Sequence, residues 1–263
     1  MRAYWAIISA RFRMLLQYRA AALAGFGTQL FWGLIRTMIF AAFYRVTSAP
    51  QPMREQDVVT YVWLGQAMLA MLPWNEDREV RMLIRTGNVA YEMLRPVDLY
   101  SLWYCRALAL RSAPTLLRAL PMFAVAALFF GLKPPPSWAC AGAWAASTLA
   151  ALLLSSALTT LMTISLLWTI SGEGVTYLLC ACAVVLSGMA VPLPLFPNWA
   201  QGVLSALPFR GVVDAPFRLY LGHIPPAAVW TVIAGQLAWT AALVLLGRAV
   251  LARGAHRLVV QGG

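Results

Sequence analysis

Long apolar stretches alternate with short polar ones along almost the whole chain. A helix needs about 20 apolar residues to cross the hydrocarbon core of a bilayer. Runs that approach or exceed this length predict six transmembrane helices, at residues 21–44, 57–74, 106–131, 138–168, 175–192 and 227–247. The pattern is typical of an all-α integral membrane protein, and we assign residues 1–263 to a single transmembrane domain.

Residues 1–19 carry an amphipathic pattern and not a spanning one. On a helical projection, Trp5 and Phe12 lie on one face, and Arg2 and Arg13 lie on the opposite face. This arrangement is typical of a helix that lies in the membrane interface. An amphipathic helix packed against another part of the protein would show the same pattern, so both interpretations stay open.

The composition agrees with lipid as the main solvent. Hydrophobic residues make up 61% of the chain and charged residues 11%, which is too little charge to cover a water-exposed globule. The net charge of +11 would suit a nucleic acid partner only if the basic residues were gathered on one face. They are scattered between apolar stretches instead, so we expect no nucleic acid partner.

Basic residues are distributed unevenly between the two ends of the predicted spans. With the N-terminus placed inside, most arginines, including Arg106 and Arg111, fall on the cytoplasmic side, whereas few basic residues face out. Those facing out are Arg45, Arg54, Lys133, Arg210 and Arg218. Because cytoplasmic loops carry the excess of Lys and Arg, this orientation is predicted, and an even number of spans also places the C-terminus in the cytoplasm.

The longest polar segment, residues 75–99, lies on the predicted cytoplasmic side and forms what we call the elbow. Asn75 is suited to cap a helix with an acidic first turn, and Gly87 is suited to end it. A second short helix, over residues 88–94, is expected to stop before Pro96. Apolar residues interleaved with charges fit either an ordinary solvated loop or a docking surface for a partner.

The outer segment, residues 193–222, is apolar but interrupted by proline and glycine. Pro192, Pro194 and Pro197 prevent a continuous helix there. We expect short helices that fold back into the membrane from the outer face, as a re-entrant hairpin. An amphipathic loop that lies on the outer surface is the alternative.

The order of these features resembles the ABC-2 type transporter permeases, in particular those of small bacterial exporters. The resemblance covers nearly the whole chain and rests on order and topology. The residues that carry it are Ile84-Arg85-Thr86-Gly87-Asn88-Val89, Leu94-Arg95-Pro96, Ser187-Gly188, Pro192-Leu193, Phe196-Pro197, Leu207-Pro208-Phe209, Pro216 and Gly222.

The resemblance implies one half of an exporter in the bacterial inner membrane. Two permeases, identical or related, would sit on two cytoplasmic ATP-binding cassette subunits. The elbow would receive motion from the ATPase through Ile84, Gly87, Asn88, Val89, Tyr91, Leu94, Arg95 and Pro96. The outer segment would close the path as a gate at Pro192, Pro194, Phe196, Pro197, Pro208 and Phe209.

The sequence does not provide the ATPase itself. It contains no Gly-x-x-x-x-Gly-Lys-Ser/Thr motif, and its only lysine is Lys133. We therefore expect ATP and Mg²⁺ to be bound by a partner chain, and this chain to be neither an enzyme on its own nor the holder of a cofactor. Its cysteines and histidines do not cluster as metal ligands, and the acidic residues at the start of the elbow suit helix capping better than cation binding.

Three charged residues are candidates for the transport path. Arg36 lies inside the first span, where it faces the path, pairs within the protein or extends towards the interface. Asp214 in the outer segment could meet Arg36, but Arg210 and Arg218 are its neighbours at helical spacing. Glu173, at an inner turn, is either a solvated carboxylate or a contact for the ATPase.

Two other classes of function remain as alternatives. An ATP-independent secondary transporter or channel would fit the spans, but the chain shows no internal repeat of the kind that many such folds carry. A membrane-embedded enzyme is less favoured, because no histidine stands near paired acids and no Gly-x-Ser-x-Gly motif is present.

Overall fold

The computed structural model describes residues 2–17, 19–169 and 173–255, and these ranges are helical and contain no strand. The helices are α1 (Arg2–Leu16), α2 (Arg19–Val46), α3 (Glu55–Ala67), α4 (Arg78–Arg85), α5 (Val89–Met93), α6 (Leu99–Phe129), α7 (Trp138–Ser165), α8 (Glu173–Leu186), α9 (Asn198–Ala206), α10 (Asp214–Tyr220) and α11 (Val229–Ala255). Short 3-10 helices lie at Leu69–Met71, Leu193–Leu195, Pro208–Gly211 and Pro226–Ala228.

Within the described ranges, four helices are long and apolar enough to cross a membrane. They cover Leu23–Val46, Leu99–Phe129, Trp138–Ser165 and Pro226–Gly254. The other two predicted spans fall on shorter helices, because α3 has 13 residues and α8 has 14. A helix of 14 residues rises roughly 21 Å, less than the ~30 Å hydrocarbon thickness. Four spanning candidates are therefore established, and the count of six stays a prediction.

Helix α3 is short because protein, not lipid, surrounds it. It packs against α2 and α6 and buries residues on every side, including Tyr61 and Trp63. The Trp63 ring stacks on Phe130 with ring centroids 4.3 Å apart. A helix that is apolar all round and enclosed by its neighbours does not need to match the bilayer in length.

Helix α7 is the central span and lies against α6, α10 and α11. Small side chains such as Ala143, Ser147 and Ala151 are buried there, and small residues let neighbouring helices approach closely. Gln236 of α11 donates its side-chain N–H to the carbonyl oxygen of Ser147 at 3.1 Å and to that of Gly211 at 2.7 Å. These hydrogen bonds fix α11 against α7 and the outer segment, since few competing polar groups exist inside the bundle.

Helix α1 packs along α6. This contact agrees with the second interpretation of its pattern, an amphipathic helix packed against another part of the protein. Its Ile7 joins an apolar cluster with Val80 and Trp103. The Tyr4 hydroxyl accepts a hydrogen bond from the backbone N–H of Asp98 at 3.2 Å. The helix is therefore held by the protein, and its position in the membrane interface stays a prediction.

Helix α2 is the least buried of the four spanning candidates. Its exposed side chains include Phe31, Trp32, Met38 and Ile39. An apolar surface of this length on a long helix is suited to lipid or to another protein in the membrane.

Gly188 allows a tight turn directly after α8. Its φ of +89° lies in the region that favours glycine, and a Cβ there would collide with the Tyr61 hydroxyl and lie 3.1 Å from Leu193 Cγ. Gly188→Ala should therefore lower the free energy of unfolding by about 1–3 kcal/mol. Gly142→Ala is the control, because a Cβ added at Gly142 in α7 would meet no atom within 4 Å.

Thermal unfolding in mild detergent would test this difference. A thiol-reactive dye can report unfolding, because Cys105 and Cys140 are free and buried. We expect Gly188→Ala to unfold at a clearly lower temperature than both the wild type and Gly142→Ala. Equal midpoints for the two variants would contradict the strained turn.

Candidate functional site

The elbow consists of α4 and α5 joined at Gly87, whose φ is +73°. Asp77 caps α4, because its side chain accepts a hydrogen bond from the backbone N–H of Glu79 at 3.0 Å. The prediction that Asn75 caps this helix is therefore wrong. The carbonyl oxygen of Asn75 instead accepts a hydrogen bond from Arg111 in α6, which fixes the chain before α4.

Asp77 also joins three helices through charge. Its carboxylate lies 3.2 Å from Arg11 of α1 and 2.9 Å from Arg106 of α6, and its side chain is almost completely buried. Glu79 contacts the same two arginines, with 2.7 Å to Arg106 Nη2. We call these four residues the Asp77 cluster. Two carboxylates and two guanidinium groups compensate one another, which makes the burial of Asp77 possible.

Burial by itself would raise the pKa of Asp77, but the hydrogen bonds and charges of Arg106 and Arg11 hold it below its ordinary value. Burial would also raise the pKa of Glu79, but the hydrogen bonds and charges of Arg11 and Arg106 hold it below its ordinary value. Both carboxylates are therefore ionised at neutral pH. The Asp77 cluster is an ion-pair network and not a proton donor.

The remaining buried acids of the elbow also serve as anchors. Glu76 pairs with Arg81 and accepts a hydrogen bond from the Thr176 hydroxyl of α8 at 3.1 Å. Glu92 accepts a hydrogen bond from the indole N–H of Trp103 in α6 at 2.9 Å. Among the described residues, no group of acids, histidines and cysteines is arranged to hold a metal ion. These acids connect the elbow to α6 and α8.

The opposite side of the elbow is exposed and partly apolar. Met82, Tyr91, Met93 and Leu94 are exposed there, and Leu94 retains 81% of its accessible surface. We call these four residues the elbow surface. Exposed apolar side chains with charged neighbours in sequence, such as Arg95 beside Leu94, are typical of an interaction site.

The predicted coupling residues occupy different positions in the elbow. Asn88, Tyr91, Leu94, Arg95 and Pro96 are exposed or half-buried, and Ile84 and Gly87 lie at the joint between the two helices. Val89 is fully buried in an apolar cluster with Tyr100 and Trp103. Val89 is therefore placed to anchor the elbow and not to contact a partner, and the coupling role of the whole set stays a prediction.

The outer segment is divided into short helices, as its prolines predict. Helix α9 has 9 residues and rises about 14 Å, far less than the membrane thickness. Of the predicted gate residues, Pro192 and Pro208 are buried, Pro194, Phe196 and Phe209 are half-buried, and Pro197 is exposed. The re-entrant path and the role as a gate stay predictions.

Asp214 is fully buried at the start of α10 and holds the outer segment together. Its carboxylate lies 3.3 Å from Arg210 and 3.6 Å from Arg218, the two neighbours at helical spacing. It also accepts a hydrogen bond from the Tyr61 hydroxyl of α3 at 3.4 Å. The backbone N–H of Asp214 donates to the Ser187 carbonyl at 3.1 Å, so the same residue fixes the turn after α8.

Arg36 does not meet Asp214. Its guanidinium group donates to the carbonyl oxygens of Met189 and Ala190, in the turn that follows α8. Glu173 begins α8, and its side chain lies outside the described part of the chain. The structure therefore does not bring the candidate path charges Arg36 and Asp214 together.

Two further arginines belong to the site, and the sequence places one of them, Arg118, inside the third predicted span without assigning it a role. The charge distribution assigns Arg111 to the cytoplasmic side, but it is buried inside the bundle with 3% exposure. Arg118 lies on the same face of α6, seven residues further on. Their spacing within an apolar helix is the signal that could have found them.

The chain matches the model of a known protein family. A family model described as ABC-2 family transporter protein matches residues 24–262, which covers most of α2 and all of α3 to α11. No curated protein and no solved structure matches the chain.

The Asp77 cluster predicts a loss of stability in acid. The pKa of Asp77 in the folded protein lies below its ordinary value of 3.8, so its stabilising effect is complete at neutral pH and is lost as pH falls through the lowered value. Asp77→Asn should cost on the order of 2–4 kcal/mol at about pH 7, because Arg11 and Arg106 lose a shared partner. The loss should shrink towards about pH 3.

Unfolding temperatures of the wild type and of Asp77→Asn across this pH range would check the prediction. Glu55→Gln is the control, because Glu55 is exposed and takes part in no ion pair among the described residues. A pH dependence of Asp77→Asn identical to that of the wild type would show that Asp77 does not carry the effect.

Proposed function

The chain belongs to the ABC-2 family of transporter proteins, and we propose that it is the permease of an ATP-binding cassette exporter in a bacterial inner membrane. Two copies, or this chain and a related one, form the transport path in this proposal. Separate cytoplasmic subunits bind ATP and Mg²⁺ and drive export. The long apolar helices and the family membership support a multi-pass membrane permease.

The observation that carries the proposal is an exposed apolar surface on a firmly anchored elbow. The buried side of the elbow is connected to α1, α6 and α8 by Asp77, Glu92 and Glu76. Its exposed side presents Tyr91 and Leu94. A rigid element with an unoccupied apolar surface is suited to receive force from a partner and pass it on.

The elbow lies close to both ends of the described chain, which supports a common cytoplasmic side. Arg11 of α1 pairs with Asp77. Arg248, near the end of α11, pairs with Asp98 at 3.3 Å, directly before α6. The N-terminal helix, the elbow and the end of the last helix therefore meet at one end of the bundle, as the proposed orientation requires.

The exposed face of α2 supports a second permease as partner in the membrane. Phe31, Trp32 and Ile39 lie on a helix that the rest of the chain hardly covers. A dimer contact along α2 would cover this surface and would place the two halves of a path side by side.

If the ATPase subunit docks on the elbow surface, a charge introduced there should break the complex. Leu94→Glu places a charge in the proposed apolar contact and should reduce recovery of the ATPase subunit by at least about tenfold. Leu128→Glu is a matched control, because Leu128 is also a leucine and is 76% exposed but lies near the far end of α6. Co-purification in mild detergent, followed by ATP hydrolysis, measures both variants.

The same purification tests the proposed function as a whole. We expect the wild type and Leu128→Glu to retain a subunit with a P-loop and ATPase activity. If the wild type is recovered without any nucleotide-binding subunit under conditions that preserve membrane complexes, an ATP-independent transporter replaces the proposal. If Leu94→Glu retains the subunit, docking takes place elsewhere.

A further inference from the structure

A cavity of about 850 Å³ lies between α2, α3, α6 and the end of α8. Its size is within the range of ligand sites in proteins. Most of its wall is apolar and includes Trp32, Ile39 and Leu110. Arg36, Arg111 and Arg118 are the charged residues of the wall, and no carboxylate is among the described residues that line it.

The arginines of this cavity form no ion pair with a described residue, although the charge of Asp77 reaches Arg111. No carboxylate in the described part of the chain lies within 4 Å of Arg36, Arg111 or Arg118, whereas the arginines of the Asp77 cluster and of the outer segment have such partners. Arginine stays protonated in proteins, so it cannot escape the cost of burial by losing its proton. A cavity with three unneutralised cations favours an anion.

The three arginines differ in how many N–H groups remain free. Arg111 donates to Thr159 Oγ1 at 2.9 Å and to the Leu72 carbonyl at 2.7 Å, so its position is fixed. Arg36 is held by the carbonyl oxygens of the turn after α8. Arg118 donates no hydrogen bond to any described residue, and its buried Nε has no partner there. Arg118 is the group with the most donors available to a ligand.

Other details of the wall agree with a bound molecule. The Gln66 side chain is 1% exposed, and its Oε1 lacks a hydrogen-bond partner among the described residues. Buried polar groups without a protein partner are normally satisfied by water or a ligand. Gly25 leaves room for the Arg118 guanidinium group, since a Cβ there would lie 2.5 Å from Arg118 Cζ.

The charges are also spread along the cavity. Arg118 lies beside Gly25, and Arg36 is 11 residues further along α2, a rise of roughly 16 Å. Apolar side chains such as Ile35 and Leu69 line the space as well. A molecule with one acidic group at Arg118 and an apolar tail would match both the arginine with free donors and this wall.

We propose that this cavity binds an amphiphile with an acidic headgroup, whose anion contacts Arg118 and whose tail lies against the apolar wall. The proposal deepens the proposed function and rests on it, because the cavity then belongs to the transport path. The chemistry is shared by two sources, an acidic phospholipid of the bilayer and a free single-chain amphiphile.

Binding to the purified full-length permease in phosphatidylcholine nanodiscs tests the assignment. Dodecyl phosphate should bind at least about tenfold more tightly than dodecyl maltoside or dodecyltrimethylammonium. Arg118→Gln should remove most of this preference, and Gly25→Leu, which displaces the guanidinium group, should weaken it. Arg45→Gln changes an exposed arginine outside the cavity and should leave the preference unchanged.

The outcomes separate the possibilities. Equal binding of the three headgroups by the wild type overturns the proposal, and so does a folded Arg118→Gln that keeps the preference for phosphate. If Arg118→Gln does not fold, Gly25→Leu takes its place in the test. A preference for phosphate that is weaker in Gly25→Leu than in the wild type supports the proposal, and an equal preference overturns it. If phosphatidic acid in the nanodisc competes with dodecyl phosphate, the occupant is a bilayer lipid. If phosphatidic acid does not compete, the occupant is a free amphiphile.

This experiment uses no ATPase, so it is independent of the docking test. Loss of headgroup preference with a nucleotide-binding subunit still retained would overturn the ligand assignment alone. Headgroup preference without any such subunit would overturn the ATP-driven permease and leave the binding site in place.

Discussion

The contact on which the elbow end of the molecule depends is the carboxylate of Asp77 between Arg11 and Arg106. One buried anion caps α4 and joins it to α1 and α6. Removing it would leave two cations partly buried without their shared partner, which costs more than the pairing contributes on its own. Because the elbow is otherwise two short helices of 8 and 5 residues, these charges and not helical propensity hold its shape.

The arginines of this protein fall into two groups that differ in how their charge is compensated. At the elbow and in the outer segment, carboxylates such as Asp77 and Asp214 are shared by two arginines each. In the central cavity, Arg36 and Arg111 are held by backbone carbonyl oxygens, which satisfy N–H groups but do not neutralise charge. The first arrangement is sufficient for structure. The second leaves a positive potential where the proposed ligand would bind.

The local features of the chain are predictable from its sequence, and the long-range contacts are not. Gly87 ends the first helix of the elbow and Pro96 follows the second, and the spacing of Asp214 from Arg210 and Arg218 indicates their pairing, because these effects act within a few residues. Asp77 and Arg11 are 66 residues apart, so no local pattern relates them. The length of α3 could not be predicted for a related reason. An apolar stretch looks alike in the sequence whether lipid or protein surrounds it.

Helix α8 connects the two ends of the molecule and gives the coupling hypothesis a physical form. Near its start, Thr176 donates to Glu76 of the elbow. At its far end, the Ser187 carbonyl accepts from Asp214, and the following turn holds Arg36. A helix of 14 residues is stiff, so displacement of the elbow would be passed to the outer segment and the cavity as a rigid-body motion. In the proposed mechanism, this short helix would make access to the cavity depend on events at the elbow.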